Sequence, residues 1–305
     1  RPTYTHNPAD LPQVIRICQL VNGLPLGLVL AAGWLETLTP AEIAGEIEKS
    51  LDFLSSSWSD LPERQRSLRA TLDHSWRMLE QDERQVFQRL SVFHGTFTRQ
   101  AAQQVAGIDA GGLRRLVDKS MLQAGPGSYR MHDLLRQYAA EKLAIDREGA
   151  VQTRTAHSVY YLSRLPERTA KLKSAQRSAT LRELDARVND LQAAWGWACM
   201  QADLPLLAQS LEGLCLYYEM RLRYREGEQA CQAALRMVAF DAEHTATGSI
   251  LRARLLLWQA NFLVLLGELE AAQKLRQPAG ELLDQLEAQG QDTRLPRAMF
   301  WQAEG

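Results

Sequence analysis

The sequence lacks the features that mark several classes of protein. Its 305 residues hold only four cysteines, without a CxxC pair: Cys18, Cys199, Cys215 and Cys231. This spacing excludes a zinc ribbon and argues against a disulfide framework, so we expect buried, reduced thiols in a cytoplasmic protein. Lysine is scarce, with 6 Lys against 29 Arg, and the net charge is −1. A balance so close to neutral argues against a main role in coating nucleic acid or an anionic membrane.

The sequence also lacks an uncharged stretch that is long enough to span a membrane. The longest uncharged stretch, residues 19–35, is interrupted by Asn22, Gly23 and Pro25, and it falls short of the length that a spanning helix needs. No cationic leader precedes it. The chain opens at Arg1 and stops within a helix-like run at 298–301, so we expect a piece of a larger protein.

Catalytic patterns are absent as well. The six histidines are dispersed, and no Ser/His/Asp, Cys/His or paired-carboxylate arrangement emerges. The phosphate-binding pattern G-x-x-x-x-G-K-[ST] does not occur. We therefore expect no catalytic residue and no metal site in this chain, and no ATP hydrolysis by it.

What the chain does carry is apolar spacing of three and four residues almost throughout, which predicts a mainly α fold. Composition shifts and turn signals divide it into three parts. We predict a helical subdomain at 1–57, a winged-helix subdomain at 58–148 and an α-superhelical, tetratricopeptide-like (TPR-like) domain at 149–305. In the first part, Thr39 and Glu42 have the spacing of a capping box at the start of a helix.

In the second part, apolar spacing and turn residues predict helices followed by a hairpin and a closing helix, which is the order of a winged helix. We predict helices near 67–79, 82–92, 98–105, 112–119 and 133–143. Two strands, 120–123 and 128–131, are expected to pair across the turn Gly125-Pro126-Gly127.

In the third part, two stretches superpose with an offset of 45 residues. Leu214, Cys215 and Tyr218 fall on Gln259, Ala260 and Leu263, and the match continues from Tyr224 onward. Small residues at helix crossings with larger ones between them are typical of stacked helical hairpins. Arg276 breaks the pattern, because it falls on Cys231.

Two short segments have simple local interpretations. Gly23 ends one helix and Pro25 begins the next, where its missing N–H costs nothing. His132 and Asp133 stand at the junction of the second strand and the last helix of the winged helix, where Asp133 suits an N-cap or favours the helix dipole.

Taken in order, these segments resemble the STAND nucleotide-switch ATPases, which include plant NB-ARC receptors and AfsR/LuxR-like bacterial regulators. The resemblance covers most of the chain. It rests on Gly23-Leu24-Pro25-Leu26 (the GLPL motif), residues 68–76, residues 83–84 and 89–93 with 97–98, residues 116–122, and Met131-His132-Asp133 (the MHD motif) with residues 134–139. Residues 191–198 resemble the helix that often opens the family's superhelical sensor.

The resemblance implies a two-state switch. It places Pro25, with Gly23, near the adenine of bound ADP and His132, with Asp133, near the β-phosphate. It implies ADP or ATP with magnesium in an intact parent, and a nucleotide-binding domain on the N-terminal side as the partner of this chain. A small-molecule or protein inducer would bind the TPR-like domain, and the active form would be a homo-oligomer.

Two other functions remain open. The first is a winged-helix DNA-binding regulator with a TPR dimerisation arm, for which Arg114 and Arg115 would contact DNA. We do not expect direct DNA binding, because the wing, residues 123–128, carries no charge. The second is a plain TPR scaffold for another protein. Aromatic residues of the third part suit either core packing or a ligand groove, and we assign Tyr217, Tyr218 and Tyr224 to the groove.

Overall fold

The computed structural model describes residues 10–21, 25–49, 53–54, 68–241, 245–294 and 296–298. It divides into two compact units, residues 1–153 and 154–305. The described part is mainly helical, as predicted, with one small sheet. Among the described residues, no helix is both long enough and apolar enough to cross a membrane. The predicted boundary at residue 57 lies outside the described residues, and the three-part division stays a prediction.

The first unit begins with three short helices, α1 (Leu11–Leu20), α2 (Pro25–Gly33) and α3 (Pro40–Lys49). The predicted capping box of α3 is confirmed: the Thr39 N–H donates to Glu42 Oε2 at 2.8 Å, and the Glu42 N–H donates to Thr39 Oγ1 at 3.3 Å. Pro25 is the first residue of α2, as expected for a residue without an N–H. The apolar run continues past Gly33 only as a 3-10 turn, Trp34–Glu36.

The rest of the first unit has the order predicted for a winged helix. Its elements are α4 (Leu68–Arg77), α5 (Gln81–Leu90), β1 (Thr96–Phe97), α6 (Arg99–Ala106), α7 (Ala110–Asp118), β2 (Gln123–Gly125), β3 (Ser128–Arg130) and α8 (Asp133–Ile145). Thr98 Oγ1 caps α6 by accepting from the Ala101 N–H at 3.1 Å, and Asp109 caps α7 by accepting from the Gly112 N–H at 2.7 Å. The three strands form an antiparallel sheet in the order β1-β3-β2.

The predicted hairpin is correct in place but wrong in extent. The first strand starts at Gln123 and not at Ser120, because the N–H of Met121 bonds to the Leu116 carbonyl at 2.8 Å. Ser120, with φ +59°, ends the helix, so these residues are unable to join the ladder. Strand β1 was not predicted, since two residues are too short to show a period of two.

The second unit is built from helices, and the division between the units falls within α9. Its helices are α9 (Arg147–Leu162), α10 (Leu165–Leu172), α11 (Arg177–Asp185), α12 (Val188–Met200), α13 (Leu204–Met220), α14 (Tyr224–Asp241), α15 (Ala246–Leu265) and α16 (Leu269–Ala288). Three of the four cysteines are buried here as free thiols, as predicted, whereas Cys18 on α1 is exposed. The prediction for Cys18 is therefore wrong, because it lies on the outer side of that short helix.

The 45-residue offset maps the connection between α13 and α14 onto the connection between α15 and α16. The N–H of Arg223 bonds to the Tyr218 carbonyl at 2.9 Å, and the N–H of Glu268 bonds to the Leu263 carbonyl at 2.8 Å. Both turns need one residue in the left-handed region: Leu222 has φ +56° and Gly267 has φ +81°. The repeated hairpin is therefore visible in the backbone, while its classification as TPR-like stays a prediction.

Close packing of the first repeat on the second requires a glycine. A Cβ atom at Gly227, on α14, would lie 2.5 Å from Cζ of the Phe262 ring on α15. Since real Cβ atoms do not approach so closely, the two helices touch at this point only because residue 227 has no side chain.

Replacing Leu222 by glycine is expected to stabilise the chain by about 1 kcal/mol, because a left-handed conformation strains a residue with a Cβ atom. Gly267→Ala, at the equivalent turn, is expected to destabilise it by about 1 kcal/mol. Urea unfolding of both variants measures the two effects. Loss of stability in both would show that the turns are not equivalent.

Candidate functional site

The candidate site is the face of the first unit formed by α7, the β2–β3 wing and the start of α8. In helix-turn-helix proteins, residues at the N-terminus of the second helix reach the base edges of DNA. Here that position is occupied by Asp109, Ala110 and Gly111, all exposed. These residues offer no side-chain donor to a base, and the carboxylate of Asp109 already accepts the Gly112 N–H as a helix cap.

The basic side chains of α7 are engaged by carboxylates. Arg114 pairs with Asp118 one turn further on, with Nε and Oδ1 2.9 Å apart. Lys119 donates to Glu83 Oε2 at 2.6 Å, and Arg115 lies 3.4 Å from Glu83 Oε1. One carboxylate on α5 thus meets two cations from the end of α7.

Glu83 is buried, with its side chain 4% exposed. It also closes the capping box of α5, because Oε2 accepts the Glu80 N–H at 2.9 Å. Burial by itself raises the pKa of Glu83, but hydrogen bonds from Lys119 and Glu80 and the charge of Arg115 outweigh it, so the pKa lies below the ordinary glutamate value. Glu83 is therefore an anion at neutral pH and neutralises part of the charge of α7.

The only charged residue of the β2–β3 wing is Arg130, at the end of β3. Residues 123–127 are exposed and uncharged, as the sequence analysis noted. Arg130 stands at the base of β3, where its Nη2 lies 3.8 Å from Asp133 Oδ2.

His132, not Asp133, is the N-cap of α8. Its Nδ1 accepts the backbone N–H of Leu134 at 3.0 Å, while Asp133 occupies the first helical turn, where its charge favours the helix dipole. Of the two local interpretations of Asp133, the N-cap is wrong and the dipole position is observed. The reason is that the imidazole of His132 supplies the acceptor one residue earlier.

The cap determines the tautomer of His132. A nitrogen that accepts a hydrogen bond carries no proton, so the neutral ring bears its hydrogen on Nε2. Nε2 is covered and has no hydrogen-bond partner among the residues that the structure describes. Burial lowers the pKa of His132 below its ordinary value; Asp133 opposes this effect and Arg130 adds to it. His132 is thus a neutral N–H donor at pH 7, without an acceptor in the described part of the chain.

The first helix of the winged helix is tied to α8. Tyr138 donates its hydroxyl to Asp73 Oδ1 at 2.6 Å, and Arg69 pairs with Glu141 at 2.8 Å. The Lys142 ammonium lies 4.7 Å from the centre of the Tyr138 ring. These contacts join two of the segments that carry the family resemblance, residues 68–76 and 134–139, so α4 and the helix that begins at His132 form one packed element. The sequence analysis named no function for these residues, because their partners lie about 70 positions away.

The structure gives no binding geometry for the predicted nucleotide and groove residues outside the winged helix. Gly23 lies outside the described residues, and Pro25 is placed only by its backbone. Tyr217 and Tyr218 are each 1% exposed, so both belong to the helical core and line no open groove in this structure. Tyr224, the first residue of α14, is half-buried. Of the three tyrosines assigned to a groove, only Tyr224 is still a candidate. Within the described ranges, no group of three or more His, Cys, Asp or Glu side chains is arranged to hold a metal ion.

Comparison with known proteins identifies part of the first unit. Residues 79–144 match the winged helix-turn-helix domain family. The chain contains a winged helix-turn-helix domain. The match covers α5 to α8 and therefore includes Glu83, α7, the wing and His132.

The chain is also similar to longer proteins. It is 29% identical over 238 residues to proteins named "Putative HTH-type transcriptional regulator" in Mycobacterium bovis and Mycobacterium tuberculosis, which covers 74% of this chain and 27% of each relative. It is 31% identical over 161 residues, 49% of this chain, to an uncharacterized protein of Mycobacterium tuberculosis, covering 41% of that protein. The chain thus spans about 27% of the length of the regulators it matches. No solved structure matches it.

Replacing His132 by asparagine is expected to keep the cap and to remove the titration. Because the pKa of His132 is lowered in the folded state, its contribution to stability is complete above about pH 6.5, the ordinary value, and is lost as the pH falls below it. The variant should therefore lose less unfolding free energy than the wild type between pH 7.5 and pH 5.5. Denaturant unfolding at several pH values measures this, with His74→Asn, an exposed position, as the control. Parallel curves for wild type and H132N would contradict the assignment.

Proposed function

We propose that this chain is part of a transcription regulator in which the winged helix transmits a signal within the protein and does not read DNA through α7. The observation that carries the proposal is the engagement of all three basic side chains of the α7 region by carboxylates, two of them by buried Glu83.

The electrostatic reason is direct. DNA binding gains free energy when free cations on a protein replace counterions on the phosphates. Arg115 and Lys119 are already paired with Glu83, and Arg115 also lies 3.8 Å from Asp82. Transferring both cations to phosphate would leave the buried carboxylate of Glu83 unpaired, which is costly. Sequence reading would also need donors at the N-terminus of α7, and Ala110 and Gly111 provide none.

We propose, more specifically, that the signal concerns a nucleotide held by a domain on the N-terminal side, as the family resemblance implies. His132 supports this role, since it is a neutral N–H donor without an acceptor among the described residues. A phosphate oxygen is a suitable acceptor for such a donor. Nε2 is covered in this conformation, so contact with a phosphate requires the residues around it to move.

Within this proposal the chain's own residues have separate tasks. His132 holds its proton at Nε2, and the Leu134 N–H fixes the orientation of the ring. The contacts of Asp73 with Tyr138 and of Arg69 with Glu141 make α4 move together with α8. Pro25 and Gly23 would contact the base. The second unit would receive an inducer, and release of the resting form would allow a homo-oligomer to assemble in the cytoplasm.

The second candidate is DNA binding by the same domain. It is favoured by the match of residues 79–144 to the winged helix-turn-helix family and by the names of the relatives. In that case Arg114 and Arg115 would leave their carboxylate partners and contact phosphates.

A DNA-binding measurement separates the two candidates. With a labelled DNA duplex at low salt, fluorescence anisotropy is expected to show weak binding that Arg114→Ala/Arg115→Ala changes by no more than about twofold. Arg182→Ala/Arg236→Ala, which removes two exposed arginines of the second unit, is the charge-matched control. Glu83→Gln should raise the low-salt affinity, because it frees two cations. Tight binding by the wild type that is lost only in the α7 variant would favour DNA reading.

A nucleotide measurement tests the more specific proposal. In a protein that joins this chain to the preceding nucleotide-binding domain, His132→Ala is expected to release bound ADP about tenfold faster, since a hydrogen bond to a charged group contributes about 1.5–3 kcal/mol. His132→Asp, which keeps a cap acceptor but has no donor, should release it as fast. The ADP content after dialysis gives the result. Equal retention in wild type and both variants would refute the role of His132.

A further inference from the structure

The second unit contains two buried N–H donors on one helix that have no hydrogen-bond partner among the described residues: Arg254 Nε and Trp258 Nε1, both on α15. Trp258 is 7% exposed. A buried donor without an acceptor costs about 1–3 kcal/mol, and such atoms are rare in native proteins. Two such donors one helical turn apart therefore require an explanation.

The two donors lie on one side of α15, next to residues that contact α13; the Trp258 ring also stacks on Phe262. Residues 254, 258 and 261 have the spacing i, i+4, i+7, which places them on one side of a helix. At one end, Arg254 Nη1 donates to the Ala208 carbonyl on α13 at 2.9 Å; at the other, Asn261 Nδ2 donates to Glu219 Oε1 on α13 at 3.1 Å. Trp258 stands between these two contacts, so both free donors lie along the junction of α13 and α15.

The charge at this junction is positive and accessible in part. Burial lowers the pKa of Arg254, with the charge of Glu212 acting in the opposite direction, and a guanidinium stays protonated at neutral pH. Glu212, on α13, is bound by Lys173, with Nζ and Oε1 2.5 Å apart. Arg254 is only partly buried, although its Nε is covered, so a ligand reaches the two donors only if neighbouring side chains move.

We propose that the junction of α13 and α15 is a binding site for a small organic carboxylate. One carboxylate oxygen would accept the Arg254 Nε–H and the other the Trp258 Nε1–H, which would satisfy both donors and the charge at once. The inference rests on the proposed sensing role of the second unit and assigns a chemical class to its ligand.

Arg276 on α16 provides a matched comparison. Its Nε is also buried and without a partner among the described residues. It falls at a position of the repeat where the preceding hairpin has Cys231, and no second donor without a partner is found on α16 in the described part of the chain. A single donor of this kind does not form a pair for the two oxygens of a carboxylate.

The test uses the chain itself, with acetate, benzoate and indole-3-acetate as probes and the corresponding neutral amides as controls. Calorimetry and thermal unfolding are expected to show saturable binding of at least one acid and none of its amide. Arg254→Lys, which keeps the charge but removes the Nε donor, and Trp258→Phe, which removes the indole N–H, should each weaken binding about tenfold or more. Arg276→Lys should leave it unchanged.

A second measurement distinguishes a ligand site from ordinary packing. Without any acid, Trp258→Phe leaves a cavity but removes an unsatisfied donor. It should therefore lose less unfolding free energy than Trp195→Phe, whose indole N–H is bound to the Ala230 carbonyl. The proposal is overturned if no acid binds, if R254K and W258F bind as the wild type does, or if a crystal structure shows one ordered water joining the two N–H groups in the presence of the acids. These experiments use neither DNA nor nucleotide. A negative result would therefore refute the carboxylate site without refuting the proposed role of the winged helix.

Discussion

The carboxylate of Glu83 connects the parts of the winged helix on which its function depends. It caps α5 through the Glu80 N–H and binds Lys119 and Arg115 at the end of α7. A buried anion with three partners is stable only while all of them stay in place. The same contacts hold α7 against α5 and neutralise part of the positive charge at the end of α7.

His132 illustrates a related coupling between local structure and function. Its acceptor nitrogen is used by the backbone of α8, and its donor nitrogen has no partner among the residues that the structure describes. A cap is a structural role, but it orients the ring and determines where the proton lies. The hydrogen bond from Tyr138 to Asp73 joins α4 to the helix that His132 caps.

The second unit contains a repeated helical hairpin. The positions at which the two copies differ show where polar groups are buried. Leu222 and Gly267 occupy equivalent turns, and Gly227 allows the two hairpins to touch. Where repeated positions differ, polar groups enter the interior: Arg276 falls on Cys231, and Arg254 and Trp258 place donors along α13. Polar atoms that a helical stack leaves unpaired are unfavourable for stability, and this makes them candidates for binding.

The sequence by itself determined the helical class, the capping box at Thr39 and Glu42, the turn at residues 125–127 and the order of elements in the winged helix, because these depend on neighbours within a few residues. Only the tertiary structure decided that Tyr217 and Tyr218 are core residues, that Glu83 binds the cations of α7, that Asp73 meets Tyr138, and that Arg254 and Trp258 share one side of α15, next to residues that contact α13. Burial and pairing between distant segments depend on how helices pack, and local periodicity does not contain that information.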